Sequence, residues 1–156
     1  MRNTENRFEP QDPDFERKIR DSFARQGLMK HLGAEISALR PGYCEIRATF
    51  HAELSQQNGY FHAGVSGAIA DSACGYAAFS LAPRDSSVLT VEYKMNLLAP
   101  ALGKTLIARG SIIRSGKTLK ICRGDIFIVN DSAEQLCATT LATIMVLTGK
   151  PEHSPS

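Results

Sequence analysis

The stretch from Val65 to Ala82 is the feature that most constrains what this chain can fold into. It consists almost entirely of small and apolar residues, and Asp71 is its only charged residue. Its length and its end at Pro83 predict a helix of about 18 residues. A helix that is apolar on nearly every side must be surrounded by other elements. We therefore predict a central, buried helix wrapped by the rest of the chain.

The segments on both sides of this helix predict an antiparallel sheet. Turn sequences at Arg40-Pro41-Gly42 and Ser115-Gly116-Lys117 separate segments rich in apolar and β-branched residues. The predicted strands are residues 34–39, 43–50, 88–98, 104–114, 118–129 and 135–147. Within 88–98 the odd positions are apolar and positions 90 to 96 alternate with them as polar residues, which indicates a strand. Ahead of the sheet, Asp12-Pro13-Asp14 starts a short amphipathic helix.

These elements predict an α+β fold, with a curved antiparallel sheet of five to six strands wrapped around one long central helix. We expect a single domain over residues 13–148, because the chain of 156 residues is of ordinary single-domain length. Residues 1–12 and 149–156 are expected to be flexible ends. An open sheet leaves edge strands, which are commonly covered by a second copy, so we also expect a homo-oligomer.

Composition argues against several classes of function. The formal charge of +2, on scattered Lys and Arg, argues against nucleic-acid binding. No apolar run is long enough to span a membrane, and the polar N-terminus lacks the apolar core of a signal peptide, so a cytoplasmic location is expected. The four cysteines lack C-x-x-C spacing and are expected to be buried thiols, and no paired His or carboxylate cluster indicates a metal site. These cysteines are Cys44, Cys74, Cys122 and Cys137.

Asp71 is the candidate catalytic residue. On a helical wheel it lies roughly 130° from a bulky stripe that should press into the sheet, and its neighbours are Gly and Ala. The stripe consists of Val65, Ile69, Tyr76 and Phe79. Asp71 on a solvent-exposed face is the alternative, but such a face normally carries Lys, Glu or Gln, and each interior glycine costs about 1 kcal/mol. Glycines there favour close approach of a ligand or another backbone, and hence a partly desolvated carboxylate suited to act as base or nucleophile.

A glycine-containing loop, Asn58 to Gly64, leads into this helix. Free N–H groups and the positive end of the helix dipole would stabilise negative charge that develops in a reaction there. His62 either has a structural role in this loop or orients a substrate carbonyl, and both readings are open. No nucleophile-elbow sequence supports a Ser-His-Asp triad.

His62-Ala63-Gly64, with Asp71 nine residues after the histidine, resembles the H-G-G-x6-D signature of hotdog-fold acyl-CoA thioesterases. The branch it looks most like is the phenylacetate-pathway, or PaaI-like, group. The similarity extends from about Phe23 to Leu147 and has further matching segments in the same order. These are Gly59, Thr90-Val91-Glu92, Leu98 to Gly103 and Arg114 to Lys117.

The resemblance implies a role for each matching residue of the catalytic set. Asp71 would attack the thioester carbonyl or activate a water, and the amides of Ala63 and Gly64, beside His62, would form the oxyanion hole. Thr90 matches a Ser or Thr that approaches the acid from the neighbouring subunit. Gln56 stands where many members carry an Asn that holds the water or the carbonyl. Ala63 replaces the first glycine of the signature, so the turn must tolerate a Cβ.

For the substrate, the resemblance implies contacts with coenzyme A from Arg114, Gly116 and Lys117, with Gln57 and Asn58 as further binding residues. The expected activity is hydrolysis of a small or medium acyl-CoA, aliphatic or aryl, to the free acid and CoA. No cofactor is expected, because coenzyme A is part of the substrate. The implied assembly is a dimer or a dimer of dimers. Two alternatives stay open: a non-catalytic acyl-CoA-binding protein, and another hotdog enzyme such as an enoyl-thioester hydratase.

Overall fold

A computed structural model describes residues 8–152, so the expectations for residues 1–7 and 153–156 lie outside the described range. Two short helices, α1 (Phe15–Ala24) and α2 (Gly27–His31), precede the strands β1 (Ala34–Arg40) and β2 (Tyr43–Thr49). A short 3-10 turn, Ala52–Leu54, leads to the long helix α3 (Ala63–Phe79). The remaining strands are β3 (Ser86–Leu97), β4 (Thr105–Ser115), β5 (Leu119–Asn130) and β6 (Ala133–Thr148).

The six strands form one sheet in the order β1-β2-β4-β5-β6-β3, and every neighbouring pair is antiparallel. The predicted architecture, a curved antiparallel sheet around one long helix with a short N-terminal helix, is confirmed. β1 and β3 are the edge strands. β3 directly follows α3 in the chain and lies at the outer edge beside β6, which places that edge next to the catalytic candidates.

Helix α3 packs on one face of the sheet. The bulky stripe that the wheel predicted is buried, but its second half packs against α1, where the Tyr76 ring meets Phe23 and Lys18 Nζ lies 4.4 Å from the centre of the Phe79 ring. All four bulky residues are at most 7% exposed: Val65, Ile69, Tyr76 and Phe79. Close approach depends on Gly110 in β4, where a Cβ would lie 2.5 Å from the backbone of Ala73. Glycine at this position therefore lets the helix rest directly on the strand.

The ends of α3 differ from the predicted 65–82. The helix begins two residues earlier, because the side chain of His62 caps its first turn. It ends at Phe79, after which tighter turn-type hydrogen bonds, such as Ala82 N to Phe79 O, carry the chain to Pro83. Pro83 therefore lies four residues beyond the end of the helix.

Strand β3 contains a bulge that its alternating sequence does not reveal. Thr90 pairs with Ile144 of β6 and Glu92 pairs with the adjacent Thr143, so Val91 is an extra, bulged residue. A bulge reverses the alternation of side chains beyond it. As a result Thr90 faces α3 on one side of the bulge and Tyr93 faces α3 on the other. Leu89 and Val91 are both more than half exposed.

The described parts of both chain ends pack against the domain. Asp12 is only 2% exposed and lies 3.4 Å from Lys18 Nζ and 3.3 Å from Arg84. Near the other end, Glu152 accepts a hydrogen bond from Ser22 Oγ at 2.9 Å and pairs with Arg25. Asp12 and Glu152 both lie in stretches that the sequence assigned to the chain ends, and these contacts join them to α1.

All four cysteines are buried free thiols, as expected. Burial raises the pKa of Cys44 to about 12, which keeps this thiol protonated and unreactive. Among the described helices, none is both long and apolar enough to cross a membrane.

Candidate active site

The carboxylate of Asp71 is partly buried on α3 and faces strand β3. Its Oδ1 accepts a hydrogen bond from Thr90 Oγ1 at 2.7 Å. Both residues belong to the same chain, whereas the resemblance implied that the hydroxyl comes from the neighbouring subunit. The bulge at Val91 explains the contact, because it sets Thr90 on the side of the strand that faces the helix.

Asp71 and Thr90 line a cleft of about 260 Å³, together with a residue of the link between α1 and α2, residues of α3 and β3, and one near the end of the described chain. The other lining residues are Gln26, Ser72, Gly75, Tyr76, Val88, Leu89 and Glu152. A Cβ on Gly75 would meet no atom within 4 Å, so the cleft is open above this glycine. The small residues beside Asp71 thus leave space next to its carboxylate.

A hydrogen-bond network forms one wall of this cleft, hereafter the Asp71 cleft. Gln26 Nε2 donates to the hydroxyl of Tyr76 at 2.8 Å, and Ser72 Oγ donates to Gln26 Oε1 at 3.2 Å. Ser22 Oγ lies 3.1 Å from the same Tyr76 hydroxyl. Burial raises the pKa of Tyr76 to about 12, so the phenol stays protonated. These bonds fix the end of α1 against α3 beside Asp71.

The N-terminus of α3 is capped by a histidine side chain. His62 Nδ1 accepts a hydrogen bond from the amide of Gly64 at 2.8 Å, and His62 O accepts from Val65 N at 2.9 Å. An accepting Nδ1 leaves the ring proton of a neutral imidazole on Nε2. This geometry supports a structural role for His62, the first of the two roles considered from the sequence. It also engages the Gly64 amide, which the resemblance had offered as an oxyanion donor.

Ala63 carries the other amide that the resemblance offered as an oxyanion donor. Its amide makes no hydrogen bond within the described part of the chain. Ala63 does not have a positive φ; among the described residues other than glycine, only Asp131 does. The Cβ of Ala63 therefore causes no backbone strain in place of the glycine of the signature.

Gln56, Gln57 and Asn58 lie in the loop ahead of α3. Gln56 Oε1 accepts a hydrogen bond from the amide of Asn58, and Gln56 N donates to Tyr60 O at 2.9 Å. Gln57 and Asn58 are exposed. The side-chain carbonyl of Gln56 thus holds its own loop, and its amide nitrogen is the group that can face a ligand.

Gln56 and Ala63 line a second cavity, of about 430 Å³, which we call the Ala63 cavity. Its other lining residues are Tyr60, Phe61, Ser66, Leu97, Leu98, Ala99, Pro100, Ala101 and Cys137. Asp71 is not among them, and it follows Ala63 by eight residues, which is about 12 Å along a helix axis. One chain therefore does not bring the Ala63 amide and the Asp71 carboxylate to the same reacting atom.

The β4–β5 turn carries the residues expected to contact coenzyme A. Arg114 and Lys117 are exposed, and in the described structure neither forms an ion pair with an acidic residue. Gly116 N donates to Leu119 O at 3.0 Å, and a Cβ on Gly116 would lie 2.6 Å from that oxygen. The tight turn therefore requires glycine and leaves two cations free to meet an anion.

Comparison with known proteins identifies the family. The family model described as the thioesterase superfamily matches residues 58–134. The crystal structure of a thioesterase family protein from Silicibacter pomeroyi is 44% identical, with a TM-score of 0.85, over 86% of this chain and 99% of that one. The chain belongs to the thioesterase superfamily. The family of thioester hydrolases predicted from the sequence is thereby confirmed.

Two further relatives of this thioesterase are informative. The chain is 27% identical over 120 residues to the 1,4-dihydroxy-2-naphthoyl-CoA hydrolase of Listeria monocytogenes, and the match covers 77% of this chain and 95% of the relative. The structure of the E. coli PaaI protein, from the phenylacetic acid degradation operon, has a TM-score of 0.80 at 19% identity and covers 91% of this chain and 99% of that one. The PaaI likeness shows a shared fold and supports the hotdog architecture.

Sequence reasoning missed the polar wall of the thioesterase's Asp71 cleft. Ser72 directly follows Asp71, so its position on the helix was a usable signal. Gln26 had none, because 46 residues separate it from its hydrogen-bond donor Ser72. Throughout the described residues no three His, Cys, Asp or Glu side chains are placed to hold a metal ion.

Proposed function

We propose that this thioesterase hydrolyses a small or medium acyl-CoA, aliphatic or aryl, with Asp71 as the catalytic carboxylate. The observation that carries the proposal is the Asp71–Thr90 pair in a cleft that is open above Gly75. The Thr90 hydroxyl orients the carboxylate and leaves its second oxygen available to a water or a carbonyl carbon. A cleft of about 260 Å³ suits an acyl group of modest size. The dihydroxynaphthoyl-CoA hydrolase among the relatives supports a CoA thioester as the substrate class.

The Ala63 amide is the proposed oxyanion donor. During attack on a thioester, the C–O π electrons move to the carbonyl oxygen, which needs a preorganised donor. The Ala63 N–H has no acceptor within the described chain, and it lies at the positive end of α3. One such donor contributes about 3–4 kcal/mol to the transition state of other acyl transfers.

The complete site then requires two chains. β3 is an edge strand with exposed apolar side chains, including Val91 at 52%, Tyr93 at 46% and Leu97 at 61%. Such an edge favours pairing with a second copy. Antiparallel pairing of two β3 strands about a two-fold axis would bring the N-terminus of one α3 towards the middle of the other. Ala63 of one chain would then face Asp71 of its partner.

This arrangement gives a simple reaction. Asp71 either takes a proton from a water that attacks the carbonyl carbon, or attacks that carbon itself to form an anhydride that water then cleaves. Negative charge collects on the carbonyl oxygen opposite the Ala63 amide. When the carbonyl re-forms, the C–S bond breaks and the sulfur of CoA leaves as a thiolate, which takes up a proton. A homodimer is the smallest unit that holds such a site, and two dimers in a tetramer would keep it intact.

One observation favours the second candidate, an acyl-CoA-binding protein without turnover. The Gly64 amide is bound to His62, and the Gln56 carbonyl is bound to its own loop. Fewer free polar groups therefore surround the expected carbonyl position than the resemblance implied. Binding without release of free thiol would be the behaviour of such a protein.

The deciding experiment measures free thiol released from acetyl-, hexanoyl-, benzoyl- and phenylacetyl-CoA by the wild type and by Asp71→Asn. We expect turnover of at least one ester, and a loss in kcat of about 10²- to 10⁴-fold in the variant, the range for a positioned general base. Asp85→Asn is the matched control, because Asp85 is an exposed carboxylate outside both cavities. Wild-type turnover by Asp71→Asn would rule out the catalytic role of this residue. Binding of all four esters without thiol release would favour the second candidate.

A further inference from the structure

Lys120 is a buried lysine without an acidic partner. It is 2% exposed, and its Nζ donates to Ser115 Oγ at 2.8 Å and to Gly116 O at 3.3 Å. No carboxylate of the described residues lies within ion-pair distance of it. Lysine is rarely buried without such a partner, because removing an ammonium from water is costly. Burial accordingly lowers the pKa of Lys120. Its position calls for a reason other than packing.

Both acceptors of Lys120 belong to the β4–β5 turn. The turn is closed by the bond from Gly116 N to Leu119 O at 3.0 Å, and Thr118 O accepts from Val146 N of β6 at 2.8 Å. Lys120 adds a third attachment, from the helix-facing side of the sheet. The turn is therefore held by its own hairpin bond, by a neighbouring strand and by a buried side chain.

The sheet register connects this turn to the candidate active site. Lys120 pairs with Ile144 of β6, and Ile144 pairs with Thr90 of β3. Directly paired residues share a face of the sheet, so Lys120 and Thr90 lie in one row on the helix-facing side. Two strand spacings separate them, about 10 Å. The turn is one strand further along the same row, at Ser115.

The turn also concentrates positive charge. Arg114, Lys117 and Lys120 lie within seven residues of sequence, and in the described structure none of them has an acidic partner. Unpaired cations at a rigid turn form a site for phosphate groups. A coenzyme A thioester carries its phosphates well away from the reacting carbonyl, as the spacing between Thr90 and this turn requires.

We propose that Lys120 is a positioning residue for coenzyme A: it holds the β4–β5 turn so that Arg114 and Lys117 meet the phosphates. It does not touch the acyl group. The inference rests on the proposed function. It adds a residue that holds the turn and distinguishes it from the residues that contact the phosphates. A methionine has nearly the same length as lysine but no donors, so Lys120→Met releases the turn without emptying the core.

The test compares two thioesters with the same acyl group, the CoA ester and the N-acetylcysteamine ester, which lacks the nucleotide and all phosphates. For Lys120→Met we expect a rise of about tenfold in KM for the CoA ester. This corresponds to the loss of one charge-assisted contact between the released turn and a phosphate. Its kcat, and its kcat/KM for the N-acetylcysteamine ester, should stay within about twofold of wild type. Lys104→Met is the control, since Lys104 is an exposed lysine that pairs with Asp131.

A second variant keeps the test decisive if Lys120→Met folds poorly. Ser115→Ala changes an exposed residue and removes the hydroxyl that accepts the hydrogen bond from Lys120 Nζ. It should also raise KM for the CoA ester. In a double variant the two effects should not add, because they break one contact. Equal losses with both thioesters would show a purely structural lysine and overturn the proposal, as would an unchanged KM for the CoA ester.

Direct binding separates this proposal from the proposed function. Calorimetric titration with free CoA and with pantetheine needs no turnover. Lys120→Met should weaken CoA about tenfold and leave pantetheine unchanged, even if the wild type hydrolyses none of the esters. Equal affinities of the wild type and Lys120→Met for CoA would refute the role of Lys120 alone.

Discussion

Thr90 Oγ1 donates to Asp71 Oδ1 at 2.7 Å, although 19 residues separate the two in sequence. The bond joins the edge strand to the central helix within one chain. It limits the rotation of the only carboxylate on α3, so it should matter for catalysis if Asp71 is the catalytic residue.

We therefore expect Thr90→Val to lower kcat/KM for an acyl-CoA by about 10- to 100-fold, because a hydrogen bond to a charged group contributes about 1.5–3 kcal/mol. Thr90→Ser keeps the hydroxyl and should stay close to wild type. Steady-state thiol-release kinetics on both variants test this, with circular dichroism to confirm folding. A fully active valine variant would mean that Asp71 needs no orienting donor.

The cap at His62 makes a prediction about stability. His62→Ala removes the acceptor of the Gly64 amide and should lower the free energy of unfolding by about 1 kcal/mol, as for other N-caps. His62→Asn should restore most of it, since Asn is a good N-cap. Urea unfolding measures both, with His51→Ala as a control outside the helix start. Lost activity at unchanged stability would instead assign His62 a direct role in the reaction.

The exposed edge of β3 makes a prediction about assembly. Val91→Lys would place like charges near each other where two β3 strands pair, and should shift the molar mass towards that of one chain. Light scattering after size exclusion measures this, and thioesterase activity should fall with it. Leu141→Lys is the control, because Leu141 is also 52% exposed but lies on the inner strand β6. An unchanged mass in Val91→Lys would exclude pairing through this edge.

The buried ammonium of Lys120 makes a prediction about pH. Burial lowers its pKa in the folded state below the ordinary 10.5, so between these two values the unfolded chain binds more protons. Stability therefore rises with pH across that window and is insensitive to this group at lower pH. The free energy of unfolding of wild type minus that of Lys120→Met should show the rise, measured in urea from neutral pH to pH 10.5. A flat difference would mean that Lys120 is not desolvated.

Much of the fold could be predicted because burial imposes periodicity. The lone charge of α3 singled out Asp71, and all four residues of the bulky stripe are buried. The bulge at Val91 could not be predicted, since apolar and polar residues alternate through it without a glycine or proline. Only the pairing of Thr90 and Glu92 with consecutive residues of β6 creates it.

The site was less accessible to sequence reasoning, because its details depend on competition between local contacts. The signature suggested two amide donors, but the His62 ring lies close enough to take one of them. Histidine is not among the usual N-cap residues, so nothing in the pattern announced this. The contacts of Gln26 with Tyr76 and Ser72 join distant segments and were invisible for that reason.

The extra residue in β3 has a consequence for anyone who aligns this chain with its relatives. Sliding the strand by one position across Val91 still gives a plausible run of alternating residues. It would nevertheless substitute the isobutyl group of Leu89 for the hydroxyl that reaches Asp71. Residue roles on this strand should therefore be transferred in two separate blocks, one counted forward from Ser86 and the other counted back from Leu97.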